Sequence, residues 1–265
     1  MKVLILLTKI FILFSIAYWI IISIVNPTES IYFDIFGYLL AILPLTGLLL
    51  GIKTSTEWGG MGSAVGKSIM FISLSLLMWV LGQTAFLYYI QTTGDVPFPG
   101  LPDYFFVFID PLYAISMLSI MKYSGVTDKL KKPSSYFLLF VIPLFAIYLN
   151  YQIFFGETAI FEELDASVIF DLIYTFGSTA IMILIVLTIL LSIGKLGGKL
   201  RTAIYAIFLG IVLQYSGDIA YSIAELENLV SNGILADFIF FLSISCVIWG
   251  IIKFKEFSSG NNGST

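Results

Sequence analysis

Histidine is absent from the 265 residues, and cysteine occurs once, at Cys246. Without histidine the chain cannot form a Ser-His-Asp hydrolase site, a zinc site of the usual catalytic type or a haem site with an imidazole ligand. A single cysteine excludes an intrachain disulfide. Its place within an apolar run predicts a packing role, because reactive thiols need polar and accessible surroundings.

Charged residues are also scarce. They make up 11% of the chain, against 59% hydrophobic residues, whereas a soluble globular domain has about 25% charged and about 45–50% apolar residues. No polar stretch is long enough for a soluble catalytic domain. The composition therefore predicts a multi-pass protein of the cell membrane, with the lipid bilayer as a partner and with neither a nucleic-acid partner nor a cofactor.

Eight apolar segments reach the length of about 20 residues that a transmembrane helix needs. Turn-forming or charged residues separate them. The predicted fold class is therefore all-α, with eight transmembrane helices. The segments are 3–25, 31–52, 65–91, 102–121, 135–155, 167–193, 202–224 and 234–252.

The basic residues all fall on one side of these eight segments. By the positive-inside rule that side is cytoplasmic, so both chain termini are predicted to be cytoplasmic, and residues 257–265 form a flexible cytoplasmic tail. The acidic loop residues collect on the opposite side. The basic residues are Lys2, Lys9, Lys53, Lys67, Lys122, Lys129, Lys131, Lys132, Lys195, Lys199, Arg201, Lys253 and Lys255.

Three short patterns recur about half a chain apart and in the same order, as a tandem duplication gives. Four spans return the chain to its starting side, so two four-helix repeats, 1–128 and 129–256, would insert in parallel and be related by an axis along the membrane normal. The paired patterns are 81–86 with 216–221, 103–106 with 237–240, and 33–35 with 170–172.

Polar side chains inside the apolar segments share the outer half of the predicted bundle. Carboxylates in a bilayer are costly, so they should face an interior or a water-filled cavity, where they share protons, bind a cation or stay solvated. The candidate ligand-binding residues are Asp34, Gln83, Asp103, Asp110, Asp171, Gln214, Asp218 and Asp237.

Helix capping is an alternative role for the four aspartates near predicted helix starts, because an aspartate there satisfies backbone amides and complements the helix dipole. Asp110 and Asp218 lie deeper, so a buried polar network is the favoured interpretation for them. A metal would find oxygen ligands only, which suits Ca²⁺, Mg²⁺ or Mn²⁺. The pattern leaves metal binding open. The four aspartates are Asp34, Asp103, Asp171 and Asp237.

The segment 78–115 carries a Leu81-Gly82-Gln83 helix end, a Pro97-Phe98-Pro99 loop and an Asp103 helix start. It resembles the multi-helix membrane N-terminal region of bacterial and archaeal diguanylate cyclases and sensor kinases, with a weaker echo at 214–243. Gln83 stands where that family has an acid, and Asp218 keeps the acid in the second copy. The resemblance implies a sensory membrane module. Since no output domain follows the last predicted helix, it would signal through a separate partner.

The favoured hypothesis is therefore a sensor or interaction module that binds a small ligand or cation in an acidic outer cavity and acts on a cytoplasmic or membrane partner. A transporter of a cation or small solute, a lysoplasmalogenase-like lipid-processing enzyme and an accessory subunit of a membrane complex remain alternatives. No catalytic residue is assigned, and a non-enzymatic role is favoured. The sequence predicts no oligomeric state.

Overall fold

A computed structural model describes residues 1–150, 165–192, 200–226 and 233–261. These residues form α-helices and one short 3-10 helix at Gly60–Gly62, and no strand occurs among them. The helices are α1 Lys2–Val25, α2 Ile31–Glu57, α3 Ala64–Thr92, α4 Leu101–Phe106, α5 Ile109–Tyr123, α6 Val126–Leu130, α7 Pro133–Asn150, α8 Ala166–Ser192, α9 Leu200–Leu226 and α10 Leu235–Asn261.

Seven of the predicted segments are helices long and apolar enough to cross a membrane, α4 and α5 together forming one of them. An all-α, multi-pass membrane protein is therefore confirmed for the described residues. The predicted segment 135–155 falls on α7, whose apolar part, Ser135–Tyr148, is shorter. Residues 151–155 lie outside the described ranges, so a count of eight spans stays a prediction.

Side-chain caps fix where several helices begin. The Ser63 hydroxyl accepts the Gly66 amide at 2.8 Å and starts α3. Asp165 starts α8, because its carboxylate accepts the Ser167 hydroxyl at 2.6 Å and the Val168 amide at 3.0 Å. These hydrogen bonds hold the pKa of the Asp165 carboxyl below its usual range. Such caps satisfy amides that a helix start leaves without partners.

The fourth predicted segment is not one continuous helix. It breaks at Val107 and Phe108, between α4 and α5. Asp110 therefore lies in the first turn of α5, although the continuous apolar pattern placed it two turns inside a helix. The break brings a second helix start, with its positive dipole end, into the apolar interior next to that carboxylate.

Close helix packing depends on small residues. Helix α10 packs against α9 and α2, α3 packs against α2 and α5, and α5 packs against α8. A Cβ atom at Gly47 of α2 would lie 2.6 Å from Ile248 of α10, and one at Gly210 of α9 would lie 2.8 Å from the Ser243 carbonyl oxygen. Small residues let helix backbones approach closely in a membrane, where hydrophobicity alone does not drive association.

Helix α10 runs on to Asn261, inside the segment 257–265 that the sequence predicted as a flexible tail. Contacts with α2 explain the longer helix. The Ser258 hydroxyl donates to the Glu57 carboxylate at 2.8 Å, and the Phe257 ring stacks on Trp58 with centroids 5.9 Å apart. The predicted repeat boundary at 128/129 falls within α6.

Candidate functional site

A small polar cavity lies where α5, α8 and α9 meet. Its volume is about 10 Å³, which is close to the room that one water molecule needs. Two carboxylates from different helices, Asp110 of α5 and Asp218 of α9, line it together. The full lining is Asp110, Ser178, Ile181, Met182, Ile211, Gln214, Tyr215 and Asp218.

Asp110 fits against α8 because that helix has a glycine at the point of contact. A Cβ atom at Gly177 would lie 2.6 Å from Oδ2 of Asp110, so any larger residue would push the carboxylate away. Among the described residues, no side chain or amide donates a hydrogen bond to Asp110. The carboxylate therefore faces the cavity and α8 with unused acceptor capacity.

Asp218 has a polar neighbour on its own helix. The Gln214 side chain, one turn before it, donates to Oδ1 of Asp218 at 3.4 Å, and the Gln214 oxygen lies 3.5 Å from the hydroxyl of Ser243 on α10. Ser243 itself donates to the Gly210 carbonyl at 2.7 Å. A chain of polar contacts thus connects the carboxylate pair with α10.

The cavity is lined by acidic side chains but by no basic ones. No lysine or arginine lies among the cavity-lining residues, and the described ion pairs lie elsewhere in the molecule. Removing one partner of a buried ion pair is strongly destabilising because a lone buried charge remains. Two unpaired carboxylates at one cavity are stabilised when a proton or a cation joins them.

Two of the other predicted site residues accept hydrogen bonds from glycine amides at helix starts. Asp103 of α4 accepts the Gly100 amide at 2.8 Å, and Asp237 of α10 accepts the Gly233 amide at 2.7 Å. Asp103 also accepts the hydroxyl of Tyr174 on α8 at 3.0 Å. These contacts match the capping alternative for both residues.

The remaining predicted residues are not in the cavity lining. Gln83 is buried in α3, Asp34 stands in the first turn of α2 and Asp171 is exposed on α8. The structure therefore brings three of the eight candidates together at the cavity: Asp110, Gln214 and Asp218.

Sequence reasoning named Asp171 on α8 but missed the two residues of that helix that reach the site, Tyr174 and Ser178. Tyr174 and Ser178 are four residues apart and so share one face of that helix. Tyr174 reaches Asp103, and Ser178 lines the cavity. Their spacing is a usable signal, but hydroxyl groups are too common in transmembrane helices for the spacing alone to show which face points inward.

No metal centre is evident in the part of the chain that the structure describes, since no three Cys, Asp or Glu side chains there converge. Comparison with protein families, with curated proteins and with solved structures finds no match.

Proposed function

We propose that this protein is a sensor module of the cell membrane that takes up a proton at Asp110 and Asp218 and transmits the change to a separate signalling partner. One observation carries the proposal: two carboxylates from different helices share a cavity whose lining contains no basic residue. The size of the cavity favours a proton, with a water molecule, over an organic ligand.

Helix α10 is the proposed transmitting element. The contacts of Asp218 with Gln214, and of Gln214 with Ser243, connect the pair to this helix. At its other end, α10 forms an ion pair with α1, between Glu256 and Lys9 at 3.2 Å. A proton that changes the Gln214 contacts could thus bias the position of α10 at the predicted cytoplasmic side, where a partner would bind.

Matching contacts in the two halves support two parallel four-helix repeats as the frame of this module. A Cβ atom at Gly82 would lie 2.3 Å from Phe106, and one at Gly217 would lie 2.5 Å from Phe240. Packing between the two halves is also symmetric. In such repeats α2 corresponds to α8 and the α4–α5 segment to α10, and the structure shows both equivalent contacts, α2 with α10 and α5 with α8. The resemblance of segment 78–115 to sensory membrane regions adds support for the signalling role.

The test is an infrared pH titration of the full chain in liposomes. We expect a carboxylic-acid C=O band that rises as the pH falls, together with an amide band shift that reports helix movement. Asp110→Asn and Asp218→Asn should each remove or move the carboxyl band and abolish the amide shift. Asp95→Asn, which changes an exposed loop carboxylate, should leave both signals unchanged.

Two results would refute the sensor. One is a wild-type protein whose amide band does not respond to pH. The other is a response that survives when both Asp110 and Asp218 are replaced by Asn.

Proton transport is the second candidate, favoured by buried hydroxyl groups inward of the pair. Tyr113 follows Asp110 by about one turn of α5 and is fully buried, and the hydroxyls of Ser116 and Ser68 lie 2.7 Å apart between α5 and α3. A pH-sensitive dye inside proteoliposomes distinguishes the two candidates. Proton flux that needs Asp110 and Asp218 indicates a transporter, whereas a pH response without flux indicates a sensor.

A further inference from the structure

A hydrogen bond joins α8 to α4 on the outer side of the cavity. The Tyr174 hydroxyl donates to Oδ1 of Asp103 at 3.0 Å and lies 3.3 Å from the Asp103 carbonyl oxygen. The other carboxylate oxygen of Asp103 accepts the Gly100 amide at 2.8 Å. The Gly100 amide at the end of the proline-rich loop therefore fixes the Asp103 carboxylate, and the Tyr174 hydroxyl connects that carboxylate on α4 with α8.

This bond lies directly outward of the Asp110–Asp218 pair. On α8, Tyr174 precedes the cavity-lining Ser178 by one turn, about 6 Å at 1.5 Å per residue. Along the α4–α5 segment, Asp103 precedes Asp110 by seven residues. The bond thus joins α8 to α4, the helix that directly precedes α5, and both α5 and α8 line the cavity.

Aromatic rings continue from the Tyr174–Asp103 hydrogen bond towards the outer surface. The Tyr104 ring meets Phe170 edge-on with centroids 5.3 Å apart, and Phe170 lies 6.3 Å from Tyr174. Tyr104 is 57% exposed, so this cluster passes from the outside of the bundle to the Tyr174 hydroxyl. Apolar rings without a continuous polar path slow the entry of water and protons.

We propose that the hydrogen bond between Tyr174 and Asp103 is a closure that controls how fast protons from the outer side reach Asp110 and Asp218. This inference rests on the proposed function. When the bond opens, α8 and α4 separate, water enters and a proton passes from bulk water to a carboxylate oxygen of the pair. The titratable groups around that pair are Asp103 on α4, Tyr113 on α5, Tyr174 on α8 and Tyr215 on α9.

The experiment is a rapid drop of external pH on proteoliposomes, followed by time-resolved infrared detection of the carboxyl band. Tyr174→Phe keeps the ring and removes the hydroxyl. We expect protonation about tenfold faster than in the wild type, which corresponds to about 1.4 kcal/mol of lost barrier. The equilibrium midpoint of the titration should change little, because the pair itself is intact.

Tyr104→Phe is the matched control, since it removes a hydroxyl from the same aromatic cluster but not one that is bonded to Asp103. Its rate should equal the wild-type rate. An unchanged or slower rate in Tyr174→Phe overturns the closure, and so does an equal acceleration in Tyr104→Phe.

Asp103→Asn gives a second approach to the same bond if Tyr174→Phe does not fold. It exchanges the charged acceptor for a neutral one, and we expect faster protonation by a smaller factor. A rate at or below the wild-type value refutes the closure. The proposed function fails by different results, a missing carboxyl band or a band that ignores Asp110→Asn and Asp218→Asn, so the two failures are distinguishable.

Discussion

The hairpin of α3 and α4 and the hairpin of α9 and α10 make the same two contacts. In each, a phenylalanine ring sits on a helix glycine, Phe106 on Gly82 and Phe240 on Gly217. In each, an aspartate three residues before that phenylalanine accepts a glycine amide, from Gly100 or Gly233. A sequence pattern that looked functional is thus, in large part, a packing pattern.

The hairpins differ at the positions that carry chemistry. Three residues before the glycine, the first hairpin has Trp79 and the second has Gln214. Seven residues after the aspartate, the α4–α5 segment has Asp110 and α10 has Ile244. Each half therefore supplies a different polar group to one shared cavity, and a site of this kind does not need two equivalent halves.

Trp79 is the residue whose loss should damage both hairpins most. Its ring lies 5.1 Å from Phe106 and 5.3 Å from Phe240, between centroids, and it is 3% exposed. We expect Trp79→Ala to lower the free energy of unfolding by about 3–5 kcal/mol. Unfolding in mixed micelles of mild detergent and dodecyl sulfate measures this loss.

Trp79→Phe is the comparison variant. The indole N–H has no hydrogen-bond partner among the described residues, so a phenyl ring loses packing area but no hydrogen bond. Its cost should be clearly smaller than that of Trp79→Ala. Equal costs for both variants would show that Trp79 does not hold the two hairpins together by its ring.

The two glycine contacts should respond alike to an added methyl group. Gly82→Ala and Gly217→Ala force a Cβ atom into the Phe106 and Phe240 rings, and overpacking of this kind costs about 1–3 kcal/mol. The same micelle titration measures both. Gly62→Ala is the control, because nothing lies within 4 Å of its Cβ position. A neutral result at either glycine would break the equivalence of the hairpins.

The aspartate that caps α10 should show an effect of similar size. Asp237→Ala leaves the buried Gly233 amide without its acceptor, which costs about 1–3 kcal/mol in a buried setting. Asp237→Asn keeps an acceptor oxygen and should cost less. If Asn and Ala cost the same, the negative charge rather than the hydrogen bond would be the stabilising feature.

Equivalent hairpins should also turn on the same side of the membrane. The cysteine substitutions that test this should leave stability almost unchanged. In a chain with Cys246→Ser, we expect Asp95→Cys and Leu235→Cys to react with an impermeant maleimide on intact cells. Both positions are exposed. Lys131→Cys should react only after permeabilisation. Labelling of Asp95→Cys and Leu235→Cys from opposite sides would exclude two parallel repeats.

Much of the fold could be predicted because lipid imposes it. Long apolar segments must be helical in a bilayer, since every backbone amide needs an internal partner. The break at Val107 and Phe108 does have a sequence signal, because Pro111 cannot donate to the carbonyl of Val107 four residues earlier and its ring clashes with that carbonyl. The signal alone does not fix the break, since Pro44 lies inside the continuous helix α2.

The site was predicted only in outline. Depth along each helix follows from residue number, so the sequence placed the acidic residues in one half of the bundle. Which of them meet depends on helix rotation, and a nearly uniform apolar helix gives little information about its inner face. Depth separated Asp110 and Asp218 from the aspartates near helix starts, but it could not show that Gln214 joins them while Gln83 does not, or that Ser178 lines the cavity.

Contacts at both ends of helix α10 fix the rotation of one end relative to the other. It is 27 residues long, and each residue advances the helix by about 100°. At one end Trp19 bonds the Gly233 carbonyl beside it, and near the other end Ser258 donates to Glu57 of α2. One inserted residue between these ends would keep both sets of groups and turn one away from its partners, so α10 encodes a fixed rotation between the two sides of the membrane.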